Sequence, residues 1–134
     1  ESRGFVFAST VSYALNKPFI LLRKKNKLPA ETYSVDFTLE YGDATIEVHK
    51  DSINKGERVL VIDDLIATGG SLLATKRLIE QTGASVLGAS TIIDLKYVRE
   101  TPLHLDIAYL LQVDPSKKIT TGENINDGPW YNYG

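Results

Sequence analysis

No cysteine and no methionine occur among the 134 residues. Without cysteine the chain has neither a disulfide framework nor a thiolate metal site, the composition expected of a cytoplasmic protein. Positive charge is also scarce: 15 Lys and Arg stand against 17 Asp and Glu, a formal net charge of -2. General nucleic-acid binding draws on a strongly basic face, so no nucleic-acid partner is expected and any basic patch must be local. No apolar run approaches the roughly 20 residues that span a bilayer, and no secretory-type segment opens the chain, so no membrane partner is expected either. Internal repeats are absent. His49 and His104 belong to no cluster with metal-ligand spacing. Because methionine is missing even at residue 1 and the chain opens directly on "ESRGFVF", an N-terminal segment is expected to precede it.

What is present is enough for one packed core: 43% of the residues are apolar. Ala8, Val11, Ala14 and Leu15 recur at helical spacing, and Asn16-Lys17-Pro18 ends that helix before a short apolar run at 19–22 that reads as a strand. In "YSVDFTLE", Tyr33, Val35, Phe37 and Leu39 alternate with Ser34, Asp36, Thr38 and Glu40; "TIEVHK" alternates again after a turn. Residues 33–50 therefore read as a β-hairpin projecting from the main layer. A buried strand over 59–62, a helix over 71–82 stopped by Gly83, a strand over 86–93 and another over 105–111 follow. Strands and helices in alternation, with nearly continuous apolar strands, mean an α/β domain with a doubly wound, mostly parallel sheet. Residues 1–113 form that domain in this reading, and 114–134, rich in Gly, Asn, Pro and Lys, read as a tail.

The stretch "RVLVIDDLIATGGSLLAT", residues 58–75, carries the chemistry. Buried charge without a partner is costly, so Asp63 and Asp64 belong at a strand end open to a ligand. Gly69 and Gly70 let a backbone approach a phosphate with no Cβ in the way, free N–H groups and the dipole of the following helix favour the anion, and Thr68 and Ser71 add hydroxyls. The two carboxylates suit vicinal hydroxyls or a bound Mg²⁺. Phosphate at one end and a diol at the other describe a ribose 5-phosphate. The loop is no Walker motif, since no Gly-Lys-Ser/Thr follows, and no GxGxxG is present.

"VLVIDDLIATGGS" resembles the phosphoribosyl-pyrophosphate (PRPP) motif of the type I phosphoribosyltransferase family. "ESRGFVF", "RKKNKLP" and "LEYG" followed by "IEVHKD" match the adenine-specific branch of that family in order and spacing, from Glu1 to about Val113. Ser71 stands where the family often has Thr, and the N-terminal part that supplies some of the adenine pocket has no counterpart here. The resemblance implies the type I phosphoribosyltransferase fold with the hairpin as a lid. It also implies the reaction of adenine with PRPP to AMP and pyrophosphate in purine salvage, Mg²⁺ as cofactor carried by PRPP, and a homodimer.

By the same resemblance, Asp63 and Asp64 hold the ribose hydroxyls; Ala67, Thr68, Gly69, Gly70 and Ser71 hold the 5-phosphate; and Leu65 lies near the base. Arg3, Lys24 and Lys27 face pyrophosphate, and Arg23 acts either there or across a dimer interface. Glu40 and Tyr41 are the catalytic pair on the lid: Glu40 either stabilises developing positive charge or takes a proton from the base, and Tyr41 covers the site. A lid has a physical reason, because water quickly traps a cationic sugar. Two rival readings are a phosphoribosyltransferase for another purine base and a PRPP-sensing regulator without catalysis. Turnover against mere binding separates them.

Overall fold

The computed structural model describes residues 2–26, 28, 31–39, 42–113 and 120–121. Its first element, α1 (Ser2–Leu15), ends where the sequence demands. Asn16 adopts a left-handed conformation with φ 53°, the Lys17 N–H donates to the Ser12 carbonyl at 3.0 Å, and Pro18 cannot continue a helix. The chain then runs to β1 (Arg23–Lys24), β2 (Thr32–Leu39) and β3 (Gly42–His49), which form one antiparallel sheet in the order β1-β3-β2. A second sheet has the order β4-β5-β6-β7, from β4 (Arg58–Ile66), β5 (Ser85–Asp94), β6 (Ile107–Gln112) and β7 (Thr120–Thr121). Pairing is parallel from β4 to β6 and antiparallel at β7. A second helix, α2 (Gly70–Gln81), connects β4 to β5.

The hairpin register follows the alternation read from the sequence. Tyr33 faces Val48 and Val35 faces Ile46, which puts the apolar residues on one side. On the other side the Thr45 hydroxyl donates to Asp36 Oδ1 at 2.5 Å. Val35, Ile46 and the wholly buried Val48 join Ala74, Leu78 and Ile79 of α2 in one core, against which Val59, Val61 and Val86 of the parallel sheet also pack. Helix α2 is thus sandwiched between the two sheets and fixes their relation. Removing Leu78, which is completely buried, would cost about 2 to 5 kcal/mol. A smaller cluster of Ile66, Leu72, Ala89 and Leu103 lies beneath the loop that precedes α2. Helix α1 packs along β4. Leu60, Leu87 and Leu110 remain exposed on the parallel sheet.

Two expectations need correction. Residues 19–22 form no strand; Ile20 and Leu22 pack on the core, but the first ladder contacts begin at Arg23–Lys24, which pair with Glu47 and Ile46 of β3. An apolar run becomes a strand only where a neighbour offers free N–H and C=O groups, and here the outer edge of β3 offers them. The basic run therefore begins as a third strand of the hairpin sheet, not beyond the end of a parallel strand. The second correction concerns β4, which does not stop at Ile62. It continues to Ile66, with Asp63 opposite Thr91 and Leu65 opposite Ile93, so both acids stand on the strand itself.

Candidate functional site

At the carboxyl end of β4, Asp63 and Asp64 lie against the first turn of α1, and the loop into α2 follows them. Asp63 is part-buried, and its Oδ1 accepts the Asp64 backbone N–H at 2.8 Å. Burial pushes its carboxyl above the usual carboxylate range, opposed in part by that backbone hydrogen bond. Asp64 makes an ion pair with Arg3, whose Nε lies 3.1 Å from Oδ2; the Arg3 side chain is 80% exposed and that of Asp64 20%. Arg3 occupies the first turn of α1. It reaches Asp64 because Gly4 lets the helix close on the strand: a Cβ on Gly4 would stand 3.0 Å from Asp63 Oδ1 and 3.2 Å from the Ile62 carbonyl oxygen. Only glycine permits that approach without displacement.

The loop itself is held from behind. Gly69, buried, sits at the N-cap of α2 with φ 90°. A Cβ there would meet Leu103 Cδ2 at 2.4 Å, so both conformation and space require glycine. Its carbonyl accepts the Leu73 N–H at 2.9 Å, which opens the helix. Among the described residues no side chain caps the first N–H groups of α2, and they can receive an anion. Gly70 differs from Gly69: only Thr68 Oγ1 comes within 4.0 Å of its Cβ position, so the space there is open. Thr68 and Ser71 are exposed and Ala67 is half-buried. Leu65 is half-buried on β4.

On the other flank, Arg23 stacks over Phe5 with its guanidinium carbon 5.6 Å from the ring centroid, and Phe5 meets Phe19 edge-on at 6.2 Å. This ties the start of the basic run to the same helix that carries Arg3 and Gly4. Lys24 is exposed. Lys27, Glu40 and Tyr41 lie outside the described residues. A groove of about 600 Å³ between the hairpin and α2 is lined by Asp36, Phe37, Leu73 and Arg77 among others; it touches the loop only at Gly70 and includes neither Asp63 nor Asp64.

Among the described residues no group of three or more His, Cys, Asp or Glu is arranged to hold a metal. Two adjacent carboxylates, one kept reluctant to ionise by burial, nevertheless offer hard oxygen donors to a cation that arrives with a phosphorylated ligand. The residues fit Mg²⁺ in that manner and not as a protein-built cage.

Gly4, Leu103 and a buried pair formed by Asp94 and Arg99 were not marked as site residues by the sequence, although all adjoin the site. Asp94 gave a signal, since it is a carboxylate that closes an apolar strand, β5. Gly4 and Leu103 gave none, because each matters only through a residue far away in the chain.

The phosphoribosyl transferase domain family matches residues 1–126. The adenine phosphoribosyltransferase of Pelagibacter ubique is 66% identical over 95 residues, covering 71% of this chain and 54% of the relative. In three dimensions the adenine phosphoribosyltransferase of Thermoanaerobacter pseudethanolicus superposes with a TM-score of 0.80 at 39% identity, covering 84% of this chain and 67% of that one. The enzyme of Trypanosoma brucei, solved with AMP, pyrophosphate and ribose 5-phosphate, gives a TM-score of 0.68 at 35% identity over 73% of this chain and 43% of that one. The chain spans 54% of the Pelagibacter relative's length, and 67% and 43% of the two solved chains.

Proposed function

This chain belongs to the phosphoribosyl transferase domain family, and on that premise we propose that it is part of an adenine phosphoribosyltransferase, which joins adenine to PRPP and releases pyrophosphate and AMP in purine salvage. The observation that carries the reading is the run from Asp63 and Asp64 on β4, through the left-handed Gly69, to the uncapped N-terminus of α2. It offers carboxylate acceptors suited to a diol on the strand and backbone donors suited to a phosphate where the following helix begins.

In this reading Asp63 and Asp64 accept hydrogen bonds from the ribose hydroxyls, and the backbone from Ala67 to Ser71, with the hydroxyls of Thr68 and Ser71, holds the 5-phosphate. Arg3, Lys24 and Lys27 face the pyrophosphate, joined by Arg23, and Leu65 borders the base. Binding the diol draws Asp64 away from Arg3 and frees that guanidinium for the leaving group. Catalysis is then mostly positioning and charge stabilisation, as a ring nitrogen of adenine attacks the anomeric carbon and the bond to pyrophosphate breaks. Mg²⁺, when bound with PRPP, supplies charge neutralisation on the pyrophosphate oxygens. Glu40 and Tyr41, which follow β2 in the sequence, exclude water and meet the charge that develops on the sugar or the base. Residues 1–113 are the catalytic part and 114–134 a tail, and the protein works as a cytoplasmic homodimer.

The deciding experiment follows PRPP consumption by the protein with adenine, hypoxanthine, guanine and orotate in turn. Turnover with adenine alone is expected. Turnover with another base, or PRPP binding without turnover, would replace this reading by one of its two rivals.

A further inference from the structure

Two charges lie deeper than anything the proposed chemistry calls for. The side chains of Asp94 and Arg99 are 2% and 8% exposed and meet at 2.7 Å. Asp94 is fixed from several sides. Its Cα is in register with Ile66 and Gln112 on the flanking strands, Gln112 Nε2 donates to its Oδ2 at 3.0 Å, and the Val113 N–H donates to its carbonyl at 3.0 Å. The neighbouring Leu95 N–H bonds to the Ile66 carbonyl at 2.8 Å. Arg99 arrives from the turn after a short 3-10 helix at Lys96–Val98, and the same Nη1 that meets Asp94 also donates to the Ala67 carbonyl at 3.0 Å. Four residues further on, Leu103 packs against Gly69. Residues 95–103 thus strap the loop at two points, one polar and one apolar.

Stability is a poor reason for this pair, because a well-packed apolar pair of similar volume commonly serves a fold as well as a buried ion pair. What an apolar pair cannot supply is a donor aimed at Ala67. A trans peptide is planar, and its carbonyl and N–H point in opposite directions. Holding the Ala67 carbonyl toward Arg99 therefore turns the Thr68 N–H away from Arg99 and fixes the plane from which the left-handed turn at Gly69 starts. We propose that Arg99, seated by Asp94, is a positioning residue that pre-orients the backbone N–H groups of residues 68–71 toward the 5-phosphate. This rests on the assignment of that loop to the 5-phosphate made above.

The test compares the wild-type protein with the double variant Asp94→Leu/Arg99→Met, which leaves no buried charge unpaired, and with Arg99→Lys, which keeps a cation facing Asp94. Calorimetry with AMP, PRPP and adenine, steady-state kinetics, and amide hydrogen exchange at residues 68–71 in the free protein are the readouts. The double variant is expected to bind AMP and PRPP about tenfold more weakly, the effect of losing one well-placed hydrogen bond. Adenine affinity and kcat at saturating PRPP should change by less than about twofold. Loop exchange should quicken, and Arg99→Lys should restore most of the affinity. Unchanged AMP and PRPP affinity in the folded double variant would overturn the proposal, as would equal losses for adenine and the phosphate ligands, the mark of a merely structural brace. Should that variant fail to fold, Asp94→Asn/Arg99→Gln keeps the network polar and uncharged but leaves a side chain too short to reach Ala67, and the same selective loss is expected. A wild type that binds neither AMP nor PRPP would sink the phosphate assignment itself; loop exchange in the variants would then decide alone whether Arg99 orders residues 68–71.

Discussion

The two flanks of the candidate site are built differently. On the loop flank, Gly69 is buried against Leu103 and the Ala67 carbonyl is held by a nearly inaccessible Arg99. On the opposite flank, Arg3, paired with Asp64, stands 80% exposed, and Lys24 is exposed next to Arg23, which stacks on Phe5. The difference matches what each flank must do under the proposed reaction. Ribose 5-phosphate is common to PRPP and AMP, so a rigid cradle serves both. Pyrophosphate must be held and then released, and exposed side chains can follow it out.

The largest expected effects break the rigid flank. Gly69→Ala combines a left-handed backbone, costing about 1 to 2 kcal/mol for a residue with a Cβ, with a contact of 2.4 Å to Leu103. It should lower both the thermal midpoint and PRPP affinity. Gly70→Val is the sharper instrument, because its Cβ position is open in the free protein. It should leave the thermal midpoint nearly unchanged yet exclude phosphate, with AMP and PRPP affinity falling far more than that of adenine; equal affinity for all three would show the loop to be a plain connector.

Next in size is Asp63→Asn. Loss of a charge-assisted contact to the ribose should weaken PRPP and AMP by about 1.5 to 3 kcal/mol, read by calorimetry. Its effect on folding should have the opposite sign. Burial raises the Asp63 carboxyl above its ordinary 3.8, so its favourable contribution to stability is fully present at pH below that value and is lost as pH rises through the raised one. At neutral pH the variant should therefore be at least as stable as the wild type while binding less well. Affinity for AMP should also fall in the wild type as acid protonates Asp63. In Asp63→Asn that part of the pH profile should flatten. Smallest of all is Arg3→Ala: the side chain is so exposed that denaturant unfolding should change by less than about 1 kcal/mol, although pyrophosphate inhibition should weaken, most visibly at low salt.

Regions whose order depends on neighbours in sequence were legible. The hairpin, α2 and the strand into β5 came within about a residue of their bounds, because alternation, a Gly-Gly turn and Gly83 are local signals. The glycine turn from β4 into α2 was legible for the same reason. Residues 19–22 were misread because an apolar run says nothing about whether a ladder partner exists. Asp63 and Asp64 seemed to end the strand because charge implies exposure, whereas Arg3 and a backbone N–H let them stay on it. The reach of Arg99 to Ala67 spans 32 positions, and no periodicity in the chain encodes it.

The sandwiched position of α2 has a mechanical consequence for the hairpin. Val48 is wholly buried and Val35 and Ile46 nearly so, all against α2. The base of the hairpin is therefore clamped, like the fixed end of a cantilever. Phe37, paired with Ala44 further out, packs on the same core, so under the proposed reaction any closing stroke must come from flexing and twisting of the strands beyond the Phe37–Ala44 pair. Such a beam returns elastically once the load is removed. Under the proposed reaction, the stiffness of those outer residues, and not a hinge at either root, then sets how quickly the hairpin reopens.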